Sequence, residues 1–362
     1  MIRRRVCAVA VGIVVVAAPH AARAGVDEAY AAYKAGRYLE AASELQAVVD
    51  RSPGYGWGFY LLGHCMLKMR SAGVAEGNFR RAIELQPERA EYYHGLALAL
   101  KDQGDWPRAV QAASEGLART QDARVRYALL SLRGYAWCAI QRWQPAIADL
   151  EVARRIHQEA WVFALLGKAY FALGQVRQAI PPLLVAEQAV PDDPTVLRVL
   201  GESYVRAAGD EPELEKKRVL YNQALGFAQR LTALVPNDLQ AVHLVGRAAL
   251  GAGRLEQAET LFLHVLSRDS RQCNAMVNLG RTYFAAERYP EAEASLVRAA
   301  ACAPRMAVVY ESLGDVYLKR GMAQRAADAF RRAAELAPAE DGYGEGGGRQ
   351  PTPGTTSVSI PR

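Results

Sequence analysis

Histidine and cysteine are the side chains best suited to hold a metal ion or attack a substrate, and this sequence scatters both. His64, His94, His157, His243 and His264 fall in separate stretches. None has the three- or four-residue spacing that sets two imidazoles on one helix face. Cys65, Cys138, Cys273 and Cys302 include no Cys-x-x-Cys pair, which argues against a thioredoxin-like or zinc site. There is no Gly-x-Ser-x-Gly elbow, no His-Glu-x-x-His, no phosphate-binding loop of the Walker type and no Asn-x-Ser/Thr sequon. The chemistry expected is therefore recognition, with no catalytic residue, metal or cofactor.

The elements that must position recognition side chains are set by a repeat. Leu-Gly-x-x-Tyr occurs at Leu166 to Tyr170, Leu200 to Tyr204, Leu279 to Tyr283 and Leu313 to Tyr317. Each copy is followed by Ala-x-x-x-Phe or Ala-x-x-x-Leu and usually by proline, as in Ala326, Phe330 and Pro338, closing a unit of about 34 residues. Glycines 63, 167, 201, 246, 280 and 314 let a first helix, A, approach its partner closely. Ala41, Ala75, Ala109, Ala146, Ala179, Ala224, Ala258, Ala292 and Ala326 do the same for a second helix, B, with Phe79, Phe262 and Phe330 on the same face four residues later. One such hairpin cannot bury its apolar face alone, so stacking must supply the core.

This pattern resembles the tetratricopeptide repeat family. The resemblance implies an all-α fold, a right-handed α-solenoid of about nine helix-turn-helix repeats over residues 25–340, and a binding scaffold. The units fall at roughly 22–55, 56–89, 90–123, 127–159, 160–193, 194–238, 239–272, 273–306 and 307–340. The first has Glu28-Ala29 in place of Leu-Gly, as befits a terminal cap, and the third has Ala97 and Ala113 for the usual glycine and aromatic. The sixth carries about eleven extra residues before Ala224. Asp210 as a cap and Pro212 in a first turn suggest that they extend helix B by about three turns near residues 210–223, either as a surface extension or as a dedicated contact.

In this family helix A lines the concave face through positions 2, 5, 9, 12 and 13 of each unit. Those positions supply Trp57, Tyr60, His64, Tyr135, Trp161, Lys168, Phe171, Arg198, Arg206, Arg247, Arg281 and Phe284 as the partner-binding groove. The set is aromatic toward the N-terminal half and basic from the fifth unit onward. Arg198, Arg247 and Arg281 are expected to form a basic ladder for an acidic or extended partner segment. The competing expectation is that individual rings, Trp161 and Phe171 above all, pack against the neighbouring helix. Two specialisations of the family do not transfer: Tyr60, His64 and Gly95 are not the residues of a carboxylate clamp, and Asn278 alone does not make an asparagine ladder.

At the N-terminus Arg3-Arg4-Arg5, an apolar stretch from Val6 to Ala18 and Ala22-Arg23-Ala24 read as a signal peptide over 1–24, cleaved before Gly25. A retained anchor is the alternative, although the apolar run is shorter than the about 20 residues a span needs. Cys7 lacks a preceding lipobox. Cleavage would turn 44 basic residues against 38 acidic into 40 against 38, a balance that gives no argument for nucleic acid. In an oxidising compartment Cys273 and Cys302, at the same end of one hairpin, are placed to bridge, although buried free thiols are the commoner state. Residues 341–362, rich in Gly, Pro, Ser and Thr, read as a flexible tail.

The function expected is a non-catalytic protein-protein scaffold, exported to the periplasm or beyond, binding other envelope proteins and spanning no membrane once cleaved. The alternative is an accessory subunit of a polysaccharide synthesis or export complex that also binds glycan.

Overall fold

The computed structural model describes residues 20–336, and over that range the chain is all-helical, with eighteen helices and no strand. They follow one another as pairs. The first four are α1 (His20–Lys34) with α2 (Tyr38–Arg51), α3 (Gly56–Lys68) with α4 (Ala72–Leu85), α5 (Ala90–Gln103) with α6 (Trp106–Leu117), and α7 (Ala123–Ala139) with α8 (Trp143–Ile156). Then come α9 (Ala160–Ala172) with α10 (Val176–Ala189), α11 (Pro194–Gly209) with α12 (Leu214–Leu234), α13 (Leu239–Gly251) with α14 (Leu255–Arg268), α15 (Cys273–Ala285) with α16 (Tyr289–Cys302), and α17 (Ala307–Lys319) with α18 (Ala323–Leu336). The chain is an α-solenoid. It divides into two compact units at Leu261/Phe262, a point inside α14.

A single turn geometry links A to B. Gly36, Arg70, Gly104, Gln141, Gly174, Gly253, Glu287 and Gly321 all have positive φ, one between each pair except α11 and α12. The amide that follows reaches back to the carbonyl five residues earlier, as from Asp105 to Leu100 and from Arg288 to Tyr283. This closes those eight A helices with a left-handed residue. Several A helices also start on an aspartate: Asp122, Asp193 and Asp238 each accept from two backbone amides, satisfying donors that the helix itself leaves free.

In the first unit each B helix from α2 to α12 lies against its own A helix and against the next one. Successive A helices from α3 to α13 also touch one another, forming a continuous layer. The small residues make this close contact possible. A Cβ on Gly63 would lie 2.8 Å from the ring of Phe79, and Gly95 of the following repeat packs on that same ring. Phe79 is thus sealed between two repeats and fully buried. Polar links join repeats as well: Arg133 holds Asp149 through two bonds of 2.7 Å and reaches Ser114 in the preceding repeat at 2.9 Å.

In the second unit α16 packs on α15 and α17, and α17 on α18. Glu293 on α16 pairs with Arg320 and Arg325 of the next repeat. The same carboxylate position in the first unit, Glu76 on α4, pairs with Arg108 and accepts from Gln103 at 2.8 Å. Cys273 and Cys302 are bridged, with their Cα atoms 5.6 Å apart, so the disulfide ties the start of α15 to the end of α16. Cys65 and Cys138 are free and buried.

The extra residues of the sixth repeat do not begin a helix at Asp210. Asp210 is the C-cap of α11, Pro212 lies in the connection, and α12 starts at Leu214. The insertion is shared between the two helices: α11 has 16 residues and α12 has 21, against 13 and 14 in α9 and α10. The physical reason is that Asp210 continues the helical backbone, with its amide bonded to the Arg206 carbonyl, which leaves no free N-terminus there to cap. At the other end, α1 begins at His20 and runs through Ala22–Ala24. The apolar segment 6–18, Cys7 and the tail 341–362 lie outside the described residues.

Candidate functional site

Between the fifth and sixth repeats the A-helix layer of the first unit opens into a cavity of about 320 Å³. Its walls come from four helices. Tyr135 on α7 and Trp161, Ala164, Leu165 and Lys168 on α9 form one side. Leu183 and Ala186 of α10, with Val190 just after it, are the floor, and Asp193, the N-cap of α11, with Thr195, Val196 and Val199 at the start of that helix closes the far side. Three of the residues expected in the groove, Tyr135, Trp161 and Lys168, therefore come together around one pocket.

The rings are held from behind. Trp161 is 39% exposed, and its indole Nε1 donates to Glu159 Oε2 at 2.5 Å. Tyr135, also 39% exposed, rests against Trp106, with centroids 5.7 Å apart. Lys168 is exposed and forms no ion pair among the described residues. The carboxylate of Asp193, the other ionised group in the lining, accepts the amides of Thr195 at 2.8 Å and Val196 at 3.0 Å. Behind Lys168 lies Cys138, whose thiol burial pushes up to about 11 against the opposing pull of the lysine charge. It stays protonated at neutral pH and does not neutralise the ammonium.

Elsewhere the expected groove residues are engaged within the protein. Two of the three residues of the basic ladder are not free: Arg198 bonds Asp238, the N-cap of α13, at 2.7 Å and Arg247 on α13 bonds Glu202 at 2.8 Å, so both pairs tie α11 to the next repeat. Arg206 lies over the ring of Phe171, 4.3 Å from its centroid. In the second unit Arg281 is exposed; burial and then Glu311 raise the carboxyl pKa of nearby Asp315, and the Arg281 charge opposes them. Phe284 packs edge-on to Tyr289 at 5.8 Å. Sequence spacing located these residues but not their partners, which for Arg206 and Arg247 come from the neighbouring repeat.

The N-terminal aromatics form part of the core. Tyr60 is only 4% exposed, with its ring 4.8 Å from Trp57 and 5.2 Å from Tyr92. His64 meets Tyr60 edge-on at 4.6 Å, and its Nε2 is buried without a hydrogen-bond partner. Burial, with smaller contributions from His94 and Lys68, lowers its pKa to about 3. His94 is lowered to about 4 by burial. Both imidazoles are neutral at physiological pH. Among the described residues no group of three or more His, Cys, Asp and Glu side chains is arranged to hold a metal ion.

The small residues lining the pocket, Ala164 and Val196, went unnoticed in the sequence because spacing draws attention to large side chains. Aligning the repeats position by position exposes them, since Ala164 stands where the second repeat has Tyr60.

Residues 60–124 and 271–339 each match the Tetratricopeptide repeat family. No curated protein matches the chain in sequence. Among solved structures it is similar to the C-terminal part of a TPR repeat-containing protein from Cytophaga hutchinsonii, with TM-score 0.53 and 14% identity over 70% of this chain and 99% of that one. It is also similar to a tetratricopeptide repeat protein from Parabacteroides merdae, with TM-score 0.51 and 17% identity over 69% and 94%. PilW, a widely conserved type IV pilus biogenesis factor, gives TM-score 0.50 and 14% identity over 61% and 96%. The repeat spacing, the paired helices and these matches have one common reading: the chain is an α-solenoid that carries tetratricopeptide repeats, matched at residues 60–124 and 271–339.

Proposed function

We propose that the protein is a non-catalytic scaffold of the bacterial cell envelope, exported by its N-terminal segment, which binds an extended stretch of a partner protein across the A helices of the fourth to sixth repeats. Tetratricopeptide repeats in general mediate protein-protein contact. The observation that carries the reading here is the pocket itself: two half-exposed rings, Trp161 and Tyr135, flank an apolar cavity beside an unpaired lysine. Rigid rings next to one free charge are the composition of an interface hot spot. An envelope role is supported by the basic start, apolar stretch and Ala22-Arg23-Ala24 of the N-terminus and by the disulfide, which suits an oxidising compartment. PilW, a pilus biogenesis factor of the same fold, fits that reading.

The test is capture of a partner from an envelope extract by the full chain, followed by affinity measurement with the identified partner. Trp161→Ala combined with Lys168→Glu should weaken binding at least tenfold, with the helical melt preserved. A partner held equally well by that variant would move the interface away from this face. Capture of polysaccharide in place of protein would favour the glycan-binding alternative.

A further inference from the structure

The pocket exists because two aromatic residues are missing from it. The fifth and sixth repeats align with the second and third, so that Trp161 corresponds to Trp57, Ala164 to Tyr60, Lys168 to His64 and Val196 to Tyr92. In the earlier pair the space is plugged from within: Tyr60 sits between Trp57 and Tyr92, with His64 against its edge. In the later pair the tryptophan remains, while alanine and valine replace the two tyrosines. What is left is a cavity of about 320 Å³ next to an exposed indole. An apolar cavity of about 150 Å³ already accommodates benzene, so this one has room for a phenyl or phenol side chain.

We infer that the pocket takes an aromatic side chain of the partner, stacked against Trp161 where Tyr60 stands in the second repeat, with an Asp or Glu next to that aromatic in the partner's chain pairing with Lys168. The inference rests on the scaffold reading and specifies its ligand. The ring is called for by the internal repeat comparison, since the protein fills the equivalent space with a ring of its own. The carboxylate follows from charge. Lys168 is exposed and unpaired, Asp193 is held by two backbone amides, and the Cys138 thiol is uncharged. An internal segment is favoured over a chain end, because the lining runs across three A helices, from Tyr135 on α7 to Thr195 on α11.

The experiment uses the full chain and the blocked peptide acetyl-Gly-Ser-Asp-Phe-Ser-Gly-amide, with binding read by calorimetry and by tryptophan emission. Replacing the peptide's Phe with Ala should weaken binding at least tenfold. Replacing its Asp with Asn should weaken it about threefold to tenfold at low salt, and Lys168→Met should remove that difference. Ala164→Tyr, which installs the plug of the second repeat, should abolish binding with an unchanged helical spectrum. Trp161→Ala provides the same loss should Ala164→Tyr fail to fold. Equal binding of the Ala peptide, or full affinity in folded Ala164→Tyr or Trp161→Ala, would overturn the inference, as would binding only to a peptide ending in a free Phe carboxylate. Peptide binding without any envelope partner would sink the scaffold reading and leave the pocket assignment standing. A partner captured equally well by Ala164→Tyr would do the opposite.

Discussion

Side chains that look alike in the sequence do different work according to what the next repeat presents to them. His64 and Lys168 hold the same position in their repeats; one is a partly buried, neutral imidazole and the other an exposed ammonium. The difference lies in the neighbours, since Tyr60 and Phe79 crowd His64 while Ala164 stands near Lys168. The buried imidazoles have a measurable consequence. Folded-state pKa values lowered from 6.5 to about 3 for His64 and about 4 for His94 mean that between pH 6.5 and those values the unfolded chain binds protons that the folded chain does not. Their contribution to stability is therefore intact above about pH 6.5 and is lost progressively as pH falls toward 3. Urea unfolding at pH 7.5 and pH 4.5 should show a marked drop, and His64→Gln combined with His94→Gln should flatten it. An unchanged pH profile in that variant would show that the two rings are not the source of the drop.

At the level of elements, each helix packs on its own partner and on the neighbouring pair, and two local devices add to that. The Cys273–Cys302 bridge closes a separation of 29 residues across one hairpin, and by loop entropy it should contribute about 3 to 4 kcal/mol. Cys302→Ser, or reductant, should lower the melting transition of the second compact unit and leave that of the first in place; calorimetry with and without reductant checks this, and a shift common to both would contradict it. The second device is the long helix α12. Its first turns are largely exposed, yet Tyr221 packs its ring on Gly251 at the end of α13, and Glu211 just before it bonds Arg177 of the preceding repeat at 2.9 Å. The extension thus touches both neighbouring repeats, a fact that its charge-rich sequence hides.

Across the molecule, coupling between neighbours alone predicts that damage stays local. Phe79→Ala empties a site shared by Gly63 and Gly95, and loss of a buried ring costs about 3 to 5 kcal/mol. Hydrogen exchange should quicken in α3 to α6 while α9 to α12 keep their protection; a uniform loss would show a single cooperative block. The sequence by itself determined the helical pairs, the positions of their small contact residues and the tetratricopeptide character of the repeats, because these depend on the type of residue at a fixed position within a repeat. It also marked Tyr135, Trp161 and Lys168 as neighbours of one face. The state of those positions was decided only by the tertiary structure. Arg198 and Arg247 lost their availability to Asp238 and Glu202, which lie 40 and 45 residues away in the chain. Tyr60 sank into the core through Tyr92, and Asp210 ended one helix and began none. The pocket arose where two large rings were replaced by Ala164 and Val196. Periodicity specifies where a side chain starts, but charge pairing, burial and empty volume belong to the space between repeats, and that space is filled by residues distant in sequence.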